Sequence, residues 1–362
     1  MTGQATAEVR FDQAGAQAFA ERLVGALNDG ALCLMVSVGH RTGLFDAMAD
    51  LPPSTSAEIA RAAGLNERYV REWLGAMVTS GVVTYDPATG RYALPPEHAA
   101  SLTRAAGADN IAVFAQYIAA LGYVETEIVE CFRRGGGVPY EKFPRFHEVM
   151  MEDSGQSVLS SLESHILPLV PGLTERLERG IRVADLGCGR GLILKRLATL
   201  YPRSRFIGMD LSKDAIEYAR RATAGLDNVE FVVRDLSDFD QTAEPEAYDF
   251  ITTFDAIHDQ GRPLNVLRGI HRALAPDGVY LMQDISGTGH VHEDAKHPLG
   301  TLLYTVSCMH CMTVSLAQNG EGLGAMWGEP KTVEYLRRAG FRSVEKKRLA
   351  HDLQNNWYVV RK

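Results

Sequence analysis

Apolar residues recur with a helical period over the first part of the chain and with a strand-like pattern beyond residue 181. Residues 12–50 are rich in Ala, Leu and Met, which predicts helices interrupted at Gly30 and Gly43. After the loop LPPSTS, a Ser/Thr cap followed by Glu58 predicts a helix that ends at Gly64. The next segment predicts a second helix with five apolar residues on one face: Val70, Trp73, Leu74, Met77 and Val78.

An alternating segment follows these two helices and turns at Asp86–Gly90, as a β-hairpin does. Two helices followed by a hairpin are typical of a winged helix. Residues 101–175 have a helical pattern again, broken at RRGGGVPYEKFP. We therefore predict a mainly α-helical winged-helix domain over residues 1–105 and a helical linker over residues 106–175.

Strands alternate with helices over the rest of the chain. The predicted strands are RVADLG, RFIGMD, VEFVVRD, YDFITTFDA and GVYLMQD, and the segment beyond residue 328 reads as helix, strand, strand. Strands that alternate with helices indicate an α/β domain with a mainly parallel, doubly wound sheet. We place this domain at residues 176–362.

Length and composition limit the class of protein. A chain of 362 residues fits two domains, and the net charge of −8 does not indicate a general binder of nucleic acids or membranes. Five cysteines, an odd number, fit a reducing compartment better than a disulfide framework. The N-terminus lacks the pattern of a signal peptide, and no apolar run reaches the ~18 residues of a membrane span. We expect a cytoplasmic protein.

The sequence VADLGCGRG places Gly187, Gly189 and Gly191 between the first predicted strand and the following helix. Glycine has no Cβ, so the backbone can turn sharply there and a ligand can approach it closely. A dinucleotide fingerprint would need glycine in place of Leu192, and a phosphate loop would need Gly-Lys-Ser/Thr. The loop therefore fits neither of these two phosphate-binding patterns.

Three aspartates lie at the ends of successive predicted strands. Asp210 ends the second strand, and Asp235 lies as far beyond Asp210 as Asp210 lies beyond Asp185. Since the carboxyl ends of parallel strands meet at one edge, we expect the three side chains around one crevice. Asp210 could accept both hydroxyls of a ribose, and Asp235 suits an adenine amine. A single such aspartate could simply cap a helix, but all three beside the glycine loop favour a positively charged nucleoside such as S-adenosylmethionine.

The segments VADLGCGRG, FIGMDLS, VVRDLSDF, YDFITTFDAIHD and LRGIHRALAPDGVYLMQD resemble the successive motifs of class I S-adenosylmethionine-dependent methyltransferases. The resemblance spans roughly residues 180–285 and implies a Rossmann-like seven-stranded sheet whose last strand is antiparallel. It implies that the loop faces the methionine part of the cofactor, that Asp210 faces the ribose, and that Asp235 faces the adenine. The residues expected to bind the cofactor are Asp185, Gly187, Gly189, Gly191, Asp210, Leu211, Asp235, Leu236, Phe254, Asp255 and Tyr140.

His258 is the candidate general base of the predicted site. It follows the fourth strand closely, so it lies at the same edge as the cofactor, and an imidazole titrates near neutral pH. The chain also resembles winged-helix small-molecule O-methyltransferases of the plant type, in which a catalytic His stands in an HDW motif; this chain has HDQ. A carboxylate, Asp284 or Asp259, would orient the imidazole. A purely structural hydrogen bond of His258 to a neighbouring loop is the alternative.

Two further segments could line the acceptor site. GGGVPYEKFPRFHEVM resembles the part of those enzymes that folds over the mouth of the cofactor site, although plain packing between domains is an equal alternative. TLLYTVSCMHCMTVSL is a predicted helix that faces the acceptor in the family. We expect no metal site there, because on a helix Cys308 and Cys311 share a face that His310 does not. The candidate acceptor-binding residues are Phe143, Phe146, His310, Met312 and Trp327.

A transcriptional regulator that senses a metabolite is the alternative function for a chain with a winged helix. Residues 54–100 carry four arginines against five carboxylates, however, and binding to DNA draws most of its affinity from neutralised phosphates. The apolar helices fit dimerisation better, which is the role of this domain in the resembling family. We therefore predict a homodimeric enzyme that methylates a small molecule, most readily at a hydroxyl, with a thiol or an amine as alternatives and with no nucleic-acid or membrane partner.

Overall fold

The computed structural model describes residues 11–362. The prediction that the N-terminus carries no signal peptide concerns residues that lie in part outside this range. The chain divides into two compact units. The first unit consists of the chain up to Ala106 together with Asn110–Ile118. The second unit consists of Gly107–Asp109 together with Ala119–Lys362. Most of the predicted linker, from residue 119 onwards, thus belongs to the second unit.

The first unit has the predicted order of two helices and a hairpin behind a long helix. Thr55 and Glu58 form a reciprocal capping box at the start of the first of the two helices, which ends at Gly64 with φ +67°. The hairpin pairs Asp86 with Arg91 in antiparallel register. The elements are α1 (Gln13–Thr42), α2 (Leu44–Ala49), α3 (Ser56–Ala63), α4 (Glu67–Thr79), β1 (Thr84–Asp86), β2 (Arg91–Ala93) and α5 (Pro96–Ala99).

Helices come first among the remaining elements, strands and helices alternate over residues 182–285, and further helices precede the last two strands. The helices are α6 (Ala115–Gly122), α7 (Glu125–Arg134), α8 (Phe146–Ser157), α9 (Leu173–Arg179), α10 (Leu192–Leu200), α11 (Lys213–Ala222), α12 (Phe239–Thr242), α13 (Pro263–Ala273), α14 (Val291–Asp294), α15 (Gly300–Val306), α16 (Met312–Ala317) and α17 (Glu329–Arg338). The strands are β3 (Arg182–Leu186), β4 (Arg205–Asp210), β5 (Val229–Val233), β6 (Tyr248–Phe254), β7 (Leu274–Ile285), β8 (Ser343–Lys347) and β9 (Asn355–Arg361).

The seven strands of the second unit form one sheet in the order β5-β4-β3-β6-β7-β9-β8. Strands β3 to β7 are mutually parallel, and β9 is antiparallel to both β7 and β8. The sheet is therefore the predicted doubly wound, Rossmann-like one, with an antiparallel last strand. The strand order reverses between β3 and β6, which is where ligands of such sheets bind, at the carboxyl ends of the strands.

Apolar side chains cover both faces of this sheet. Alternate residues of the central strands point to opposite faces, so Val183 and Phe250 pack into one cluster while Ala184 and Ile251 pack into the other. The helices on each side contribute the rest, Leu194 of α10 to the first cluster and Leu267 of α13 to the second. These layers fix the strand ends at which the polar residues of the site stand.

Helix α1 differs from the sequence-based prediction, because it runs through Gly30 without a break and ends only at Gly43, where φ is +73°. By length and composition, α1 and the run Gly300–Ala317 are the two described helices that could cross a membrane. Core helices of other proteins meet the same criterion, and 22% and 39% of these apolar windows are buried here.

Candidate active site at the carboxyl edge of the sheet

The glycine loop leaves β3 at the point where the strand order reverses. Gly187, Gly189 and Gly191 have φ values of +73°, +52° and +70°, a region that side chains disfavour. A Cβ at Gly187 would lie 2.5 Å from Ala256, and one at Gly191 would lie 2.4 Å from the Phe231 ring. A Cβ at Gly189 would meet no described atom within 4 Å. Two glycines thus allow close packing, and the third borders open space in which a ligand can lie.

Asp210, at the end of β4, fixes this loop. Its Oδ2 accepts a hydrogen bond from the backbone N–H of Gly189 at 2.8 Å, and its Oδ1 accepts one from Ser212 N–H at 2.8 Å. Each carboxylate oxygen has two lone pairs, so both oxygens can still accept a ribose hydroxyl.

The other predicted cofactor residues of β3 to β5 differ in exposure. Asp185 is buried and accepts a hydrogen bond from the Thr252 hydroxyl at 2.8 Å. Burial, with the charge of Asp210, raises the pKa of Asp185 to about 7. Asp235 is exposed and accepts a hydrogen bond from the Ser237 N–H. Leu211 is exposed, whereas the side chain of Leu236 packs in the core.

The end of β6 brings an unusual carboxylate to the edge. Phe254 packs edge-on against Trp357 with 6.0 Å between ring centroids, and Asp255 follows it with φ +50°. The Oδ1 atom of Asp255 is buried and has no hydrogen-bond partner within residues 11–362. Burial and the nearby Asp284 raise the pKa of the Asp255 carboxyl well above its usual range.

His258 and Asp284 form a buried pair on neighbouring elements. Asp284 lies near the end of β7, and its Oδ1 accepts a hydrogen bond from Nδ1 of His258 at 2.8 Å. The same oxygen accepts hydrogen bonds from the Trp327 indole at 3.1 Å and from the Ile285 N–H at 2.9 Å. Sequence reasoning left Asp259 and Asp284 as alternatives, and the hydrogen bond goes to Asp284.

The charges around His258 are mostly negative. Burial opposes the charged imidazolium most strongly of any single cause, but the Asp284 carboxylate and Cys311 together outweigh burial and raise the pKa of His258 well above its usual range. Burial raises the pKa of Asp259 to about 6, against the effect of His258. One donor atom each of Asp255, His258 and Asp284 lies within 4.8 Å of the other two, so these groups form one cluster.

An aromatic cluster lies beside this centre. His310 stacks on Phe146 with 3.6 Å between ring centroids and contacts Phe143 edge-on at 4.8 Å. Tyr140 contacts both Phe146 and His310 edge-on. Burial, followed by the charges of His258 and His147, lowers the pKa of His310 well below its usual range. His310 is therefore neutral at physiological pH, and its Nε2 has no hydrogen-bond partner among the described residues.

Tyr140 connects the two parts of the edge. Burial is the main cause that raises the pKa of its phenol, and the charges of Asp210, Asp259 and Cys311 raise it further. The phenol therefore lies near residues of both the cofactor side and the His258 side. Its segment is tied to α16, since the Val138 N–H donates to the Thr313 hydroxyl at 2.8 Å.

Two of the predicted acceptor residues have other surroundings, and one residue of the site was missed. The Trp327 indole N–H is committed to Asp284, and Met312 is only half-buried.

The sequence analysis did not predict Thr252 as a residue of the site, although it lies beside Asp185 in the register of β3 and β6. Its signal in the sequence was weak, because a threonine within a strand is common.

The edge fits S-adenosylmethionine. Asp210 is placed for the ribose, the space before Gly189 is open, and a partnerless buried oxygen of Asp255 can accept a hydrogen bond from an ammonium group.

Comparisons with known proteins agree with this geometry. Residues 30–104 match the Rv2258c-like winged HTH domain, and residues 177–339 match a methyltransferase domain. The ubiquinone biosynthesis O-methyltransferase of Neisseria meningitidis serogroup C is 28% identical over 153 residues, which are 40% of this chain and 60% of that protein. The chain thus matches less than two thirds of the length of this relative.

Solved structures share the whole two-domain fold. Human N-acetylserotonin methyltransferase in complex with its S-adenosylmethionine cofactor has a TM-score of 0.64 at 19% identity, over 99% of both chains. An O-methyltransferase family protein from Burkholderia thailandensis has a TM-score of 0.64 at 19% identity, over 95% of this chain and 98% of the other. The chain therefore combines an N-terminal winged-helix domain with a methyltransferase domain.

Proposed function

We propose that the protein transfers a methyl group from S-adenosylmethionine to a hydroxyl group of a small molecule, with His258 as general base. The observation that carries this proposal is the buried His258–Asp284 pair, which stands at the same sheet edge as the glycine loop. The bound cofactor supplies an activated methyl group. Nε2 of His258 takes the hydroxyl proton, and Asp284 stabilises the imidazolium through Nδ1–H.

The residues around His258 also support the choice of acceptor. The Asp284 carboxylate lies against the imidazole, so a carboxylate acceptor would be repelled and an uncharged hydroxyl would not. The rings of Phe143, Phe146 and His310 suit a planar, aromatic molecule. We propose a phenol or a related hydroxyl as the acceptor, with thiols and amines as the alternatives.

A screen of acceptors tests this function. Phenols, thiols, amines and carboxylic acids are incubated with the full chain and methyl-labelled cofactor, and the labelled products are counted. We expect phenols to react and expect H258Q to lower kcat by about 10²–10⁴-fold while the affinity for the cofactor stays. H292Q, at an exposed histidine, is the control. Equal rates of H258Q and the wild type would refute the role of His258.

We also propose that the protein acts as a homodimer. Helix α1 exposes Phe19, Leu23 and Leu27, which are spaced by four residues and form an apolar stripe. The exposed arginines of α4 are paired with carboxylates on the same helix, Arg68 with Glu72 and Arg71 with Glu67, which favours a structural role of this unit over phosphate binding.

We propose the cytoplasm as its location. All five cysteines are free thiols in the structure, as is common in a reducing compartment.

A further inference from the structure

All hydrogen bonds that the Asp284 carboxylate makes within residues 11–362 fall on one oxygen. Its Oδ1 accepts the Nδ1–H of His258 at 2.8 Å, the indole N–H of Trp327 at 3.1 Å and the backbone N–H of Ile285 at 2.9 Å. Its Oδ2 is buried and has no hydrogen-bond partner in the same range. A carboxylate oxygen has two lone pairs, so the three donors share the electron density of Oδ1. The indole therefore competes with the imidazole for the same negative charge.

The indole is held firmly where it meets this oxygen. Trp327 is buried, and its ring contacts the Tyr335 ring of α17 edge-on with 5.6 Å between centroids. Its backbone N–H donates to the Gly324 carbonyl at 3.2 Å. A Cβ at Gly289 would lie 3.2 Å from the Trp327 carbonyl oxygen, so a second backbone segment packs directly on the residue. A ring fixed in this way sets the position of the oxygen to which it donates.

The glycine-rich segment of residues 320–328 brings the indole to the site. The Glu321 N–H donates to the carbonyl of Gly261, three residues beyond His258, at 3.3 Å. The Glu321 carboxylate in turn accepts a hydrogen bond from the Tyr335 hydroxyl. The segment is thus tied both to the loop that carries His258 and to the helix on which the indole packs.

We propose that Trp327 is a positioning residue of the His258–Asp284 pair, whose indole N–H fixes the Asp284 carboxylate and withdraws part of its negative charge from the imidazole. With less charge facing it, the imidazolium is stabilised less, so a larger share of His258 is neutral near physiological pH. A neutral ring is what a general base requires. This consequence for turnover rests on the proposed function, whereas the hydrogen bonds do not.

Titratable groups of four elements lie around the pair. They are Asp255 and Asp259 on the loop of His258, His310 and Cys311 on the π-helical turn Ser307–Cys311, Tyr280 on β7, and Tyr358 on β9. The indole of Trp327 carries no charge, so it acts on the pair only through its position and its N–H. Removing this N–H returns electron density to the bond with the imidazole, which favours the imidazolium and raises the pKa of His258 further.

The test is an NMR titration of the full chain with labelled imidazoles and indoles. The chain has three tryptophans, and the other two indoles donate elsewhere, Trp73 to a backbone carbonyl and Trp357 to Asp352. We expect the indole signal of Trp327 to shift at the same pH midpoint as the imidazole of His258, and the other two indole signals not to follow it. W327F and H258Q assign the two signals, and the shift of the Trp327 signal should disappear in H258Q.

The variant W327F also measures the size of the effect, because it keeps an aromatic ring and removes the donor. We expect it to raise the titration midpoint of His258 by about half a pH unit or more. W357F removes another buried indole donor from a different carboxylate and is the matched control, in which the midpoint should stay. An indole signal that ignores the titration of His258, an unchanged or lower midpoint in W327F, or an equal rise in W357F would overturn the proposal.

Kinetics with an active acceptor separate positioning from direct contact with the acceptor. In W327F the pH at which kcat/KM falls should move upward together with the NMR midpoint. KM for the acceptor at high pH should stay, because the indole donates to Asp284. A raised KM with an unmoved midpoint would assign Trp327 to the acceptor and overturn the positioning role. A chain that methylates none of the acceptors would refute the proposed function, and the NMR titration, which needs no turnover, would still decide the role of Trp327.

Discussion

A single oxygen of Asp284 orients the His258 imidazole, and the charge of this carboxylate favours the protonated ring. This oxygen accepts hydrogen bonds from an imidazole, an indole and a backbone amide, and the carboxylate is completely buried. Its charge is therefore poorly screened, and it favours the imidazolium over the neutral ring. A base must be neutral to accept a proton, so the same charge that orients His258 also sets the pH range in which it works.

The first prediction concerns this pH range. Because Asp284 raises the pKa of His258, kcat/KM should fall as the pH drops through a midpoint above the ordinary value of about 6.5. In D284N the midpoint should move to lower pH, and kcat should fall about tenfold or more because the imidazolium loses its counter-charge. The pH profile of kcat/KM checks both. D235N, at an exposed position of the cofactor side, should leave the midpoint of the fall in kcat/KM at its wild-type pH. An unmoved midpoint in D284N would contradict the assignment of His258 as the general base.

The second prediction concerns Asp210. In D210N the Gly189 and Ser212 amides compete for one carbonyl oxygen, and the ribose loses a charged acceptor. We expect the affinity for S-adenosylhomocysteine to fall by about ten- to a hundredfold, which corresponds to the loss of one or two charge-assisted hydrogen bonds. Calorimetry measures it. D214N, on the following helix, is the control, and unaltered affinity in D210N would exclude the ribose contact.

Some residue contacts followed from the sequence and others could not. Asp210 and His258 were predicted because a strand end or a short loop places them at the sheet edge whatever the side-chain packing. The contact of Trp327 with Asp284 joins residues 43 positions apart, and nothing local in either segment indicates it.

At the scale of elements, the loop between β3 and α10 shows why three glycines occur together. Positive φ is required at all three, but the space before each differs. Gly191 lies against Phe231, so its lack of a side chain serves the packing of the sheet. Gly189 lies before open space, so its lack of a side chain serves a ligand.

The third prediction uses this difference. In G191A the Cβ meets the Phe231 ring in addition to the strained φ, and we expect the free energy of unfolding to fall by roughly 2 kcal/mol or more. In G189A the loss of stability should be about 1 kcal/mol, whereas cofactor affinity should fall more than tenfold. Denaturant unfolding and calorimetry measure the two effects. If G189A binds cofactor like the wild type, the open space is not its site.

Elements with a clear period were predictable, and irregular ones were not. The capping box at Thr55 and the alternation of strands with helices from β3 to β7 follow from local sequence patterns, and both predictions are confirmed. Gly30 was expected to break a helix, but a glycine in a helix interior costs only about 1 kcal/mol, and the apolar residues around it continue the helical pattern. Residues Ser307–Cys311 form a π-helical turn between α15 and α16, and no comparable pattern in the sequence indicates it.

At the scale of the whole molecule, α1 carries a stripe of exposed apolar side chains. Phe19 is 59% exposed and Leu27 is 74% exposed, on a helix of 30 residues. A stripe of this kind indicates an interface. A second copy of the chain is the partner that we propose.

The fourth prediction follows from this stripe. The double variant L23E/L27E should shift the protein from dimer to monomer in size-exclusion chromatography with light scattering, because burying carboxylates in an apolar interface is costly. E21K lies on the opposite face of α1 and should stay dimeric. A wild type that is monomeric at all concentrations would exclude the dimer itself.

The measurement that tests the account most directly is calorimetric titration of the full chain with S-adenosylhomocysteine. The account predicts one site per chain, weakened at least tenfold in D210N and unchanged in H258Q, since His258 serves the acceptor and not the cofactor. Absence of binding, or displacement by a phosphorylated dinucleotide at the same edge, would contradict the assignment of this sheet edge to a cationic nucleoside.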